Sequence, residues 1–339
     1  MKKILATLFL ALLVILAISP EGQADPIELK GGHAAATDHP YHLGLMYLGQ
    51  LVKERTNGEL TLKVYPDAML GSEQELVGYL QMGMVDFAVI STSPLSGFTN
   101  SLLIFDLPFL FPDSATARRV LDGPFGQETL AGLKDIDLVG ITFFENGFRH
   151  LTNSKRQIVF PDDLRGLKIR TMQSKVYIAS FQALGAIASP LPFGELYSAL
   201  EHNAFDGQEN PLPIIYTSKF YESQKYCSLT GHAYSPSPLL LSPAAWESLS
   251  EKHREIFLEA AAEAREYERQ QIDEQAAENI AKLKEVGMEI TEVDRSIWAE
   301  AMSSVYDTFA PELGEKVIER ALMEIAKSAD SDGSDAKIQ

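Results

Sequence analysis

Apolar and polar residues alternate over Ile27 to Lys30 and again over Leu60 to Tyr65, the two-residue period of strands with one buried face. Between them, Leu43, Met46, Leu48, Leu51 and Val52 recur at helical spacing and predict a helix within His39 to Asn57. Glu73 to Met84 reads as a second helix stopped near Gly83. Val85 to Ser91 follows as a short apolar strand running into a Ser/Thr/Pro/Gly loop that ends at Gly97. This βα alternation predicts a largely parallel sheet. The pattern returns with strands at Leu138 to Phe144, Gly166 to Arg170, Ala186 to Pro190 and Ala204 to Gln208, and with a helix from Lys175 to Leu184, which together make a second α/β unit.

Ser250 to Gly287 differs, because it runs without an internal Pro or Gly and repeats apolar residues every three or four positions from Ile256 to Val286. At about 1.5 Å per residue this helix spans on the order of 50 Å, more than one lobe is wide, and is expected to lie across both. A coiled-coil dimer helix is the other use of such a segment, but it is rich in alanine and lacks a Leu/Ile heptad. From Ser328 onward the chain is rich in Asp and Ser and is expected to fray.

The N-terminus has the plan of a secretory signal: Lys2 and Lys3, an apolar run from Ile4 to Ile18, then Gly22-Gln23-Ala24 as the small-residue cleavage site. That run is short for a membrane span of about 20 residues. The expectation is a signal peptide over 1–24, cleavage after Ala24 and a periplasmic mature chain. Over all 339 residues, 29 basic side chains stand against 47 acidic ones, a formal charge of −18. Such a surface repels nucleic acid and anionic lipid and excludes nucleic-acid partners. The single cysteine, Cys227, allows no internal disulfide.

The inventory for catalysis is poor: no GxSxG elbow, no phosphate-binding GxxxxGK[ST] or GxGxxG loop, and Gly31-Gly32 alone is too little to cradle a phosphate. His39-Pro-Tyr-His42 lacks a third metal ligand and reads as a helix start, and the acids Glu73 and Glu75 read as a solvated helix face. No cofactor or metal is expected. Two arginines stand apart in this acidic chain. Arg149 follows a strand and the turn at Glu145 to Phe148, and Arg170 ends the strand Gly166 to Arg170, where the ligand crevice of an open α/β sheet lies. A guanidinium fork there matches a carboxylate, although placement alone allows each arginine to pair with a structural acid instead. Gln208 and Asn210 offer amides nearby, and Phe193 an aromatic wall or a core residue.

These same residues carry a family resemblance. Gly166-Leu-Lys-Ile-Arg170, Ala183-Leu-Gly185, Pro190-Leu-Pro-Phe-Gly-Glu-Leu-Tyr197, Asp206-Gly-Gln-Glu-Asn-Pro211 and Lys219-Phe-Tyr-Glu222 resemble, in order and spacing, the DctP-type substrate-binding proteins of TRAP transporters. Gly83-Met-Val-Asp-Phe87, Leu107-Pro108-Phe109 and Asn146-Gly-Phe-Arg149 extend the likeness over nearly the whole mature chain.

The resemblance implies an α/β, two-lobe periplasmic binding protein with hinge strands and a long helix spanning both lobes. It closes on a small organic acid and delivers it to the small and large membrane subunits of an ion-gradient-driven transporter. The first lobe is expected from 25–147 plus about 233–270, the second from 148–232 plus about 271–327, and a flexible tail over 328–339. By the same likeness Arg170 is the carboxylate clamp, Arg149 a second arginine, Asn210 its support and Phe193 a stacking wall. His33, Glu73, Ser91 and Thr92 take pocket-lining positions that vary with ligand. Ser91 stands where sialic-acid-binding relatives carry an acid, which argues against that ligand. A monomeric, non-catalytic receptor is expected, with a positive island around Arg149 and Arg170. The rival readings are an ABC-type binding protein, a periplasmic enzyme acting on a carboxylic acid, and a dimeric scaffold built on the long helix.

Overall fold

The computed structural model describes residues 26–335, with side chains to 328, so the signal peptide expected over 1–24 lies outside the described residues. Nine strands are ordered along the chain as β1 (Ile27–Gly32), β2 (Leu60–Tyr65), β3 (Phe87–Val89), β4 (Val139–Asn153), β5 (Lys168–Thr171), β6 (Ile187–Pro190), β7 (Gly207–Pro211), β8 (Tyr226–Leu241) and β9 (Glu289–Glu292). The main helices are α1 (Pro40–Arg55), α2 (Glu73–Gln81), α3 (Thr92–Leu95), α4 (Ser114–Asp122), α5 (Pro124–Gly132), α6 (Lys175–Ala183), α7 (Phe193–Glu201), α8 (Leu212–Thr217), α9 (Pro243–Ser248), α10 (Glu251–Glu285), α11 (Arg295–Ala301), α12 (Ser304–Leu313) and α13 (Glu315–Asp335).

The strands form one sheet in the order β2-β1-β3-β8-β4-β7-β5-β6, with β9 beside β8. Pairs within each half, β1 with β2 and β3, and β5 with β6 and β7, are parallel as the βα alternation predicts. The expectation of a largely parallel sheet needs correcting at its centre. There β4 and β8 run antiparallel to each other from Val139 opposite Leu241 to Asn153 opposite Tyr226, and β3 and β7 join them antiparallel. These two strands are the shared spine. Fifteen residues at about 3.3 Å each extend about 50 Å, so the first half of β4 belongs to one lobe's sheet and its second half to the other's. Three register shifts bend the pair as it crosses. One falls between Glu145 and Gly147, where Gly147 takes φ +90°, a conformation that a side chain would strain.

A second spine lies across that bend. α10 is a 35-residue helix, about 52 Å long, capped by Ser250, whose Oγ accepts the His253 N–H at 3.1 Å. Its Phe257, Ala260, Ala261 and Ala264 pack with Leu45, Leu48 and Val52 of α1, and its far end packs Leu283 with Leu212, Ile214 and Ile215 of α8. The alanines permit close approach: a Cβ on Gly44 would lie 2.9 Å from that of Glu268. At mid-length Arg269 grips Asp122 (2.6 Å), and Arg118 bonds both Glu145 (2.6 Å) and Asp273 (2.8 Å), tying α10 to α4 and the bend of β4.

On the opposite face Leu102 to Phe105, Val120 and Phe125 form a core with Val305, Phe309, Leu313, Ala321 and Ile325. Within the expected 271–327 second-lobe segment, Trp298 and Met302 pack with Leu151, Ile169 and Phe181 of the second lobe, α12 packs against both Val176 of α6 and the Leu102 to Phe105 segment of the first lobe, and α13 lies on α4. The frayed tail expected from 328 is likewise helical as far as Asp335, because α13 continues through it. Gly31 and Gly32 serve close packing: a Cβ on either would sit about 2 Å from a carbonyl oxygen, of Phe87 or of Tyr65. Cys227 is buried, and burial pushes its thiol up to about 12, leaving it unreactive.

Candidate functional site

β5 ends at the cleft, and Arg170, its third residue, is only 2% exposed. Its Nε and Nη2 both donate to the Leu191 carbonyl, at 2.9 and 2.6 Å, which fixes the guanidinium plane and leaves Nη1 without a partner. Among the described residues no carboxylate forms an ion pair with it. Burial lowers its pKa to about 10; Glu209 and Glu73 oppose that fall and Arg149 adds to it. The side chain is still a cation at neutral pH. A buried, rigid and unmatched positive charge with a free N–H edge is a strong attraction for an anion.

Arg149, also expected to face the cleft, is placed behind it. Its Nε and Nη2 fork onto Glu209 at 2.5 and 3.0 Å, Nη2 also donates to the Glu209 carbonyl (2.7 Å) and Asn210 Oδ1 (3.0 Å), and only Nη1 is unbonded. Both partners are fully buried, and His232 Nε2 lies 3.2 Å from Glu209. Burial works against the charge of either group, but each holds the other ionised: Glu209 keeps Arg149 above its ordinary value, and Arg149 with His232 brings Glu209 down to about 2. The positive island expected around both arginines is therefore carried by Arg170 alone, because Glu209 cancels Arg149.

Between the lobes Arg170 faces a narrow cavity of about 20 Å³, room for about one water in this closed arrangement, lined from both sides. The first lobe contributes Ala34, Ala35, Tyr41, Glu73 and Ser91; the second contributes Met172, Phe193, Asn210 and Ile214; Asn146 comes from the bend of β4. Phe193, half-buried, packs edge-on to Phe220 with ring centres 6.1 Å apart. Asn210 is held by a chain of hydrogen bonds: its Nδ2 donates to Gln208 Oε1 (2.5 Å), and Gln208 Nε2 donates to Thr152 Oγ1 (2.9 Å). Gln208 thus acts behind the wall.

Glu73 stands at the start of α2. Ser72 caps that helix in a reciprocal box with Glu75, which frees Glu73 to turn inward, where its Oε1 accepts the Ser91 N–H at 2.7 Å. Burial raises its pKa, against the Ser91 hydrogen bonds and the charge of Arg170. The reading of Glu73 as a solvated helix face is thereby corrected.

His33 and Thr92 are buried off the cavity wall. His33 Nε2 lies 3.2 Å from His42 Nδ1, and burial beside that second imidazole brings its pKa down to about 3. Thr92 turns towards Asp106. His39 caps α1, its Nδ1 accepting the Tyr41 N–H. Sequence reasoning missed Tyr41, Asn146, Met172, Ile214 and the Leu191 carbonyl. Asn146 left a signal, lying in the motif that ends at Arg149, and its Oδ1 is buried and unbonded. A wider groove over α1 and β2, lined by Tyr47, Leu62, Val64 and Tyr267, is open, and its Glu28, Lys53 and Glu54 lie in solvent. Enclosure and unmatched charge coincide in the interlobe cavity.

Comparison with known proteins agrees with this geometry. The family model for bacterial extracellular solute-binding protein family 7, DctP, matches residues 31–312. The chain is 36% identical over 287 residues to the 2,3-diketo-L-gulonate-binding periplasmic protein of Escherichia coli, covering 84% of this chain and 88% of that one. It is 30% identical to the C4-dicarboxylate-binding periplasmic protein of Rhodobacter capsulatus, over 94% and 96% of the two chains. A TRAP periplasmic solute-binding protein from Polaromonas, solved with D-erythronate bound, superposes with a TM-score of 0.85 at 39% identity, covering 87% of this chain and 98% of the other.

Proposed function

Given that the chain belongs to bacterial extracellular solute-binding protein family 7 and is a TRAP-type periplasmic solute receptor, we propose that its ligand is a hydroxylated monocarboxylic acid of the sugar-acid kind. The observation that carries this is the pairing of charges across the cavity. Arg170 offers one unmatched cation, and the opposite wall offers the Glu73 carboxylate as an acceptor. A carboxylate on Arg170 with hydroxyls towards Glu73 satisfies both walls. The second carboxylate of a C4-dicarboxylate would face Glu73 with no free cation beside it, since Glu209 already uses Arg149. The relatives known to bind diketogulonate and erythronate fit this class better than the dicarboxylate receptor does.

In this reading Arg170 clamps the carboxylate, Asn210 and Asn146 add amide groups, and Phe193 covers an apolar edge. Arg149 and Gln208 act through Asn210. The mature protein begins after Ala24 and works as a monomer without catalysis. Its first lobe comprises 25–147, about 233–270 and α13; the second comprises 148–232 and about 271–302, and α12 packs against both. The closed form hands its acid to the small and large membrane subunits of the transporter.

The test is a thermal-shift series on protein freed of ligand by unfolding and refolding, because a ligand at a hundred times its Kd adds about 2.7 kcal/mol of stability. D-erythronate and D-galactonate are expected to raise Tm more than succinate. Glu73→Gln is expected to lower affinity for the hydroxy acids by about tenfold, one charge-assisted hydrogen bond, and to narrow the gap to succinate. A wild-type preference for succinate would sink the monocarboxylate reading.

A further inference from the structure

Beside the ligand cavity the lobes meet at a second polar contact that ligand recognition does not use. Asp106 ends the 3-10 segment Asn100–Asp106 of the first lobe and is 1% exposed. Its Oδ1 accepts from Ser93 Oγ at 2.7 Å and lies 3.5 Å from Thr92 Oγ1, both on α3, while Oδ2 is buried without a partner. The second lobe supplies the rest of its surroundings. The hydroxyl of Ser174, which caps α6, faces it, and so does Tyr177 one turn on, whose own hydroxyl is also unbonded. Next to Ser174, Gln173 Nε2 crosses the cleft to Gln74 Oε1 at 2.9 Å, so this stretch is contact surface between the lobes.

We propose that Asp106 couples closure of the lobes to uptake of one proton, so that the receptor captures its acid more tightly as pH falls from about 8 to about 5. Opening separates α6 from α3 and lets water reach the carboxyl, which then titrates near the ordinary 3.8. Closure buries it and raises it to about 6, against the hydroxyls of Ser174 and Ser93 and the charge of Arg149, with Glu209 adding to the rise. The charged and titratable groups that face it are Arg149 from β4, Glu209 from β7 with His232 of β8 behind it, and Tyr177 from α6. α3 offers only hydroxyls, and Tyr306 of α12 spends its hydroxyl on the Pro108 carbonyl. The closed-state value lies above the open-state one. The affinity gain is thus complete below the ordinary value and is lost as pH rises through about 6. Between pH 8 and 5 it amounts to about tenfold.

This inference rests on the receptor reading, and the experiment separates the two. D-erythronate is titrated calorimetrically into wild type and Asp106→Asn from pH 8 to 5, in buffers of differing ionisation heat that report proton uptake. The expected result is a wild-type gain of about tenfold with nearly one proton taken up per ligand at pH 5. The variant is expected to bind tightly at pH 8 already and to lack that share of the uptake. Glu73 titrates alike in both proteins, so the difference between them isolates Asp106. Equal pH profiles overturn the proposal, and if the variant does not fold, absence of net uptake by the wild type does so. If D-erythronate binds neither protein at any pH, the ligand reading fails, and small-angle scattering of the ligand-free wild type decides. Compaction between pH 8 and 5 supports coupling, and an unchanged radius overturns it.

Discussion

Arg170→Ala is expected to weaken binding of the acid by a hundred- to a thousandfold, about 3–4 kcal/mol, while leaving the ligand-free Tm within about 2 °C of wild type. Both parts come from the same geometry. The guanidinium is buried, held by the Leu191 carbonyl and unmatched by any carboxylate of the described residues, so the folded protein gains little by keeping it. Removing an unmatched buried charge relieves a desolvation penalty, and that offsets the lost hydrogen bonds to Leu191. With ligand bound, the same charge meets its counter-ion in a cavity sheltered from water, where charge-assisted bonds are strongest. Arg170→Lys is expected to recover only part of the affinity, because a point charge lacks the planar fork. A large drop in ligand-free Tm with affinity retained would make Arg170 a structural residue.

Arg149→Ala is expected to do the reverse, lowering stability by about 3–5 kcal/mol and Tm by roughly 10 °C. It strips Glu209, fully buried, of its fork and leaves His232 as the remaining side-chain partner. Replacing both partners by apolar residues, as in Arg149→Met with Glu209→Leu, is expected to recover much of the loss, because the unpaired charge rather than the missing pair does the damage. The pair also sets an acid limit. Glu209 is held at about 2 in the fold against an ordinary 4.5. Its contribution is present above 4.5 and is lost as pH falls through 2. Wild-type Tm is therefore expected to fall over that window, and Glu209→Gln to fall less steeply from a lower start. Thermal melts of the four proteins against pH check this, and parallel pH profiles would contradict it.

The contrast between the two arginines marks how far the sequence could be read. Each looks alike there, an arginine at a strand end in an acidic chain, and the likeness to DctP-type receptors assigns both to the ligand. What separates them is register. Arg149 lies opposite Pro211 across the β4–β7 pair, which brings Glu209, sixty residues away in the chain, within reach. Periodicity carries no information on such a pairing. β2, α1 and the long α10 were legible because their burial is one-sided and their repeat regular. β8 was not: Gly231, Pro236 and Pro238 interrupt the residue pattern of a strand whose register with β4 shifts three times. The turn expected at Glu145 to Phe148 is such a shift, so β4 runs on to Asn153. The packing of α12 between the lobes and of α13 on α4 is decided by which core their apolar faces complete, a tertiary matter. Of the residues that line the cavity, Arg170 and Asn210 were legible from their own chemistry, whereas Glu73 and Ser91 came from the family likeness alone and the pattern around Glu73 read as a solvated face. The Leu191 carbonyl, Ile214 and Ala34 became visible only with the fold.

The central claim is that the closed lobes recognise a carboxylate through the charge of Arg170. Its most direct test compares one acid with its own neutral amide, by calorimetric titration of ligand-stripped protein with D-erythronate and with D-erythronamide. Shape and hydroxyls are nearly the same, so the difference reports the charge. Micromolar binding of the acid, about 8 kcal/mol, with the amide weaker by at least a hundredfold and the difference abolished in Arg170→Ala, is the predicted result. Equal binding of acid and amide, or a preference that survives Arg170→Ala, would contradict it.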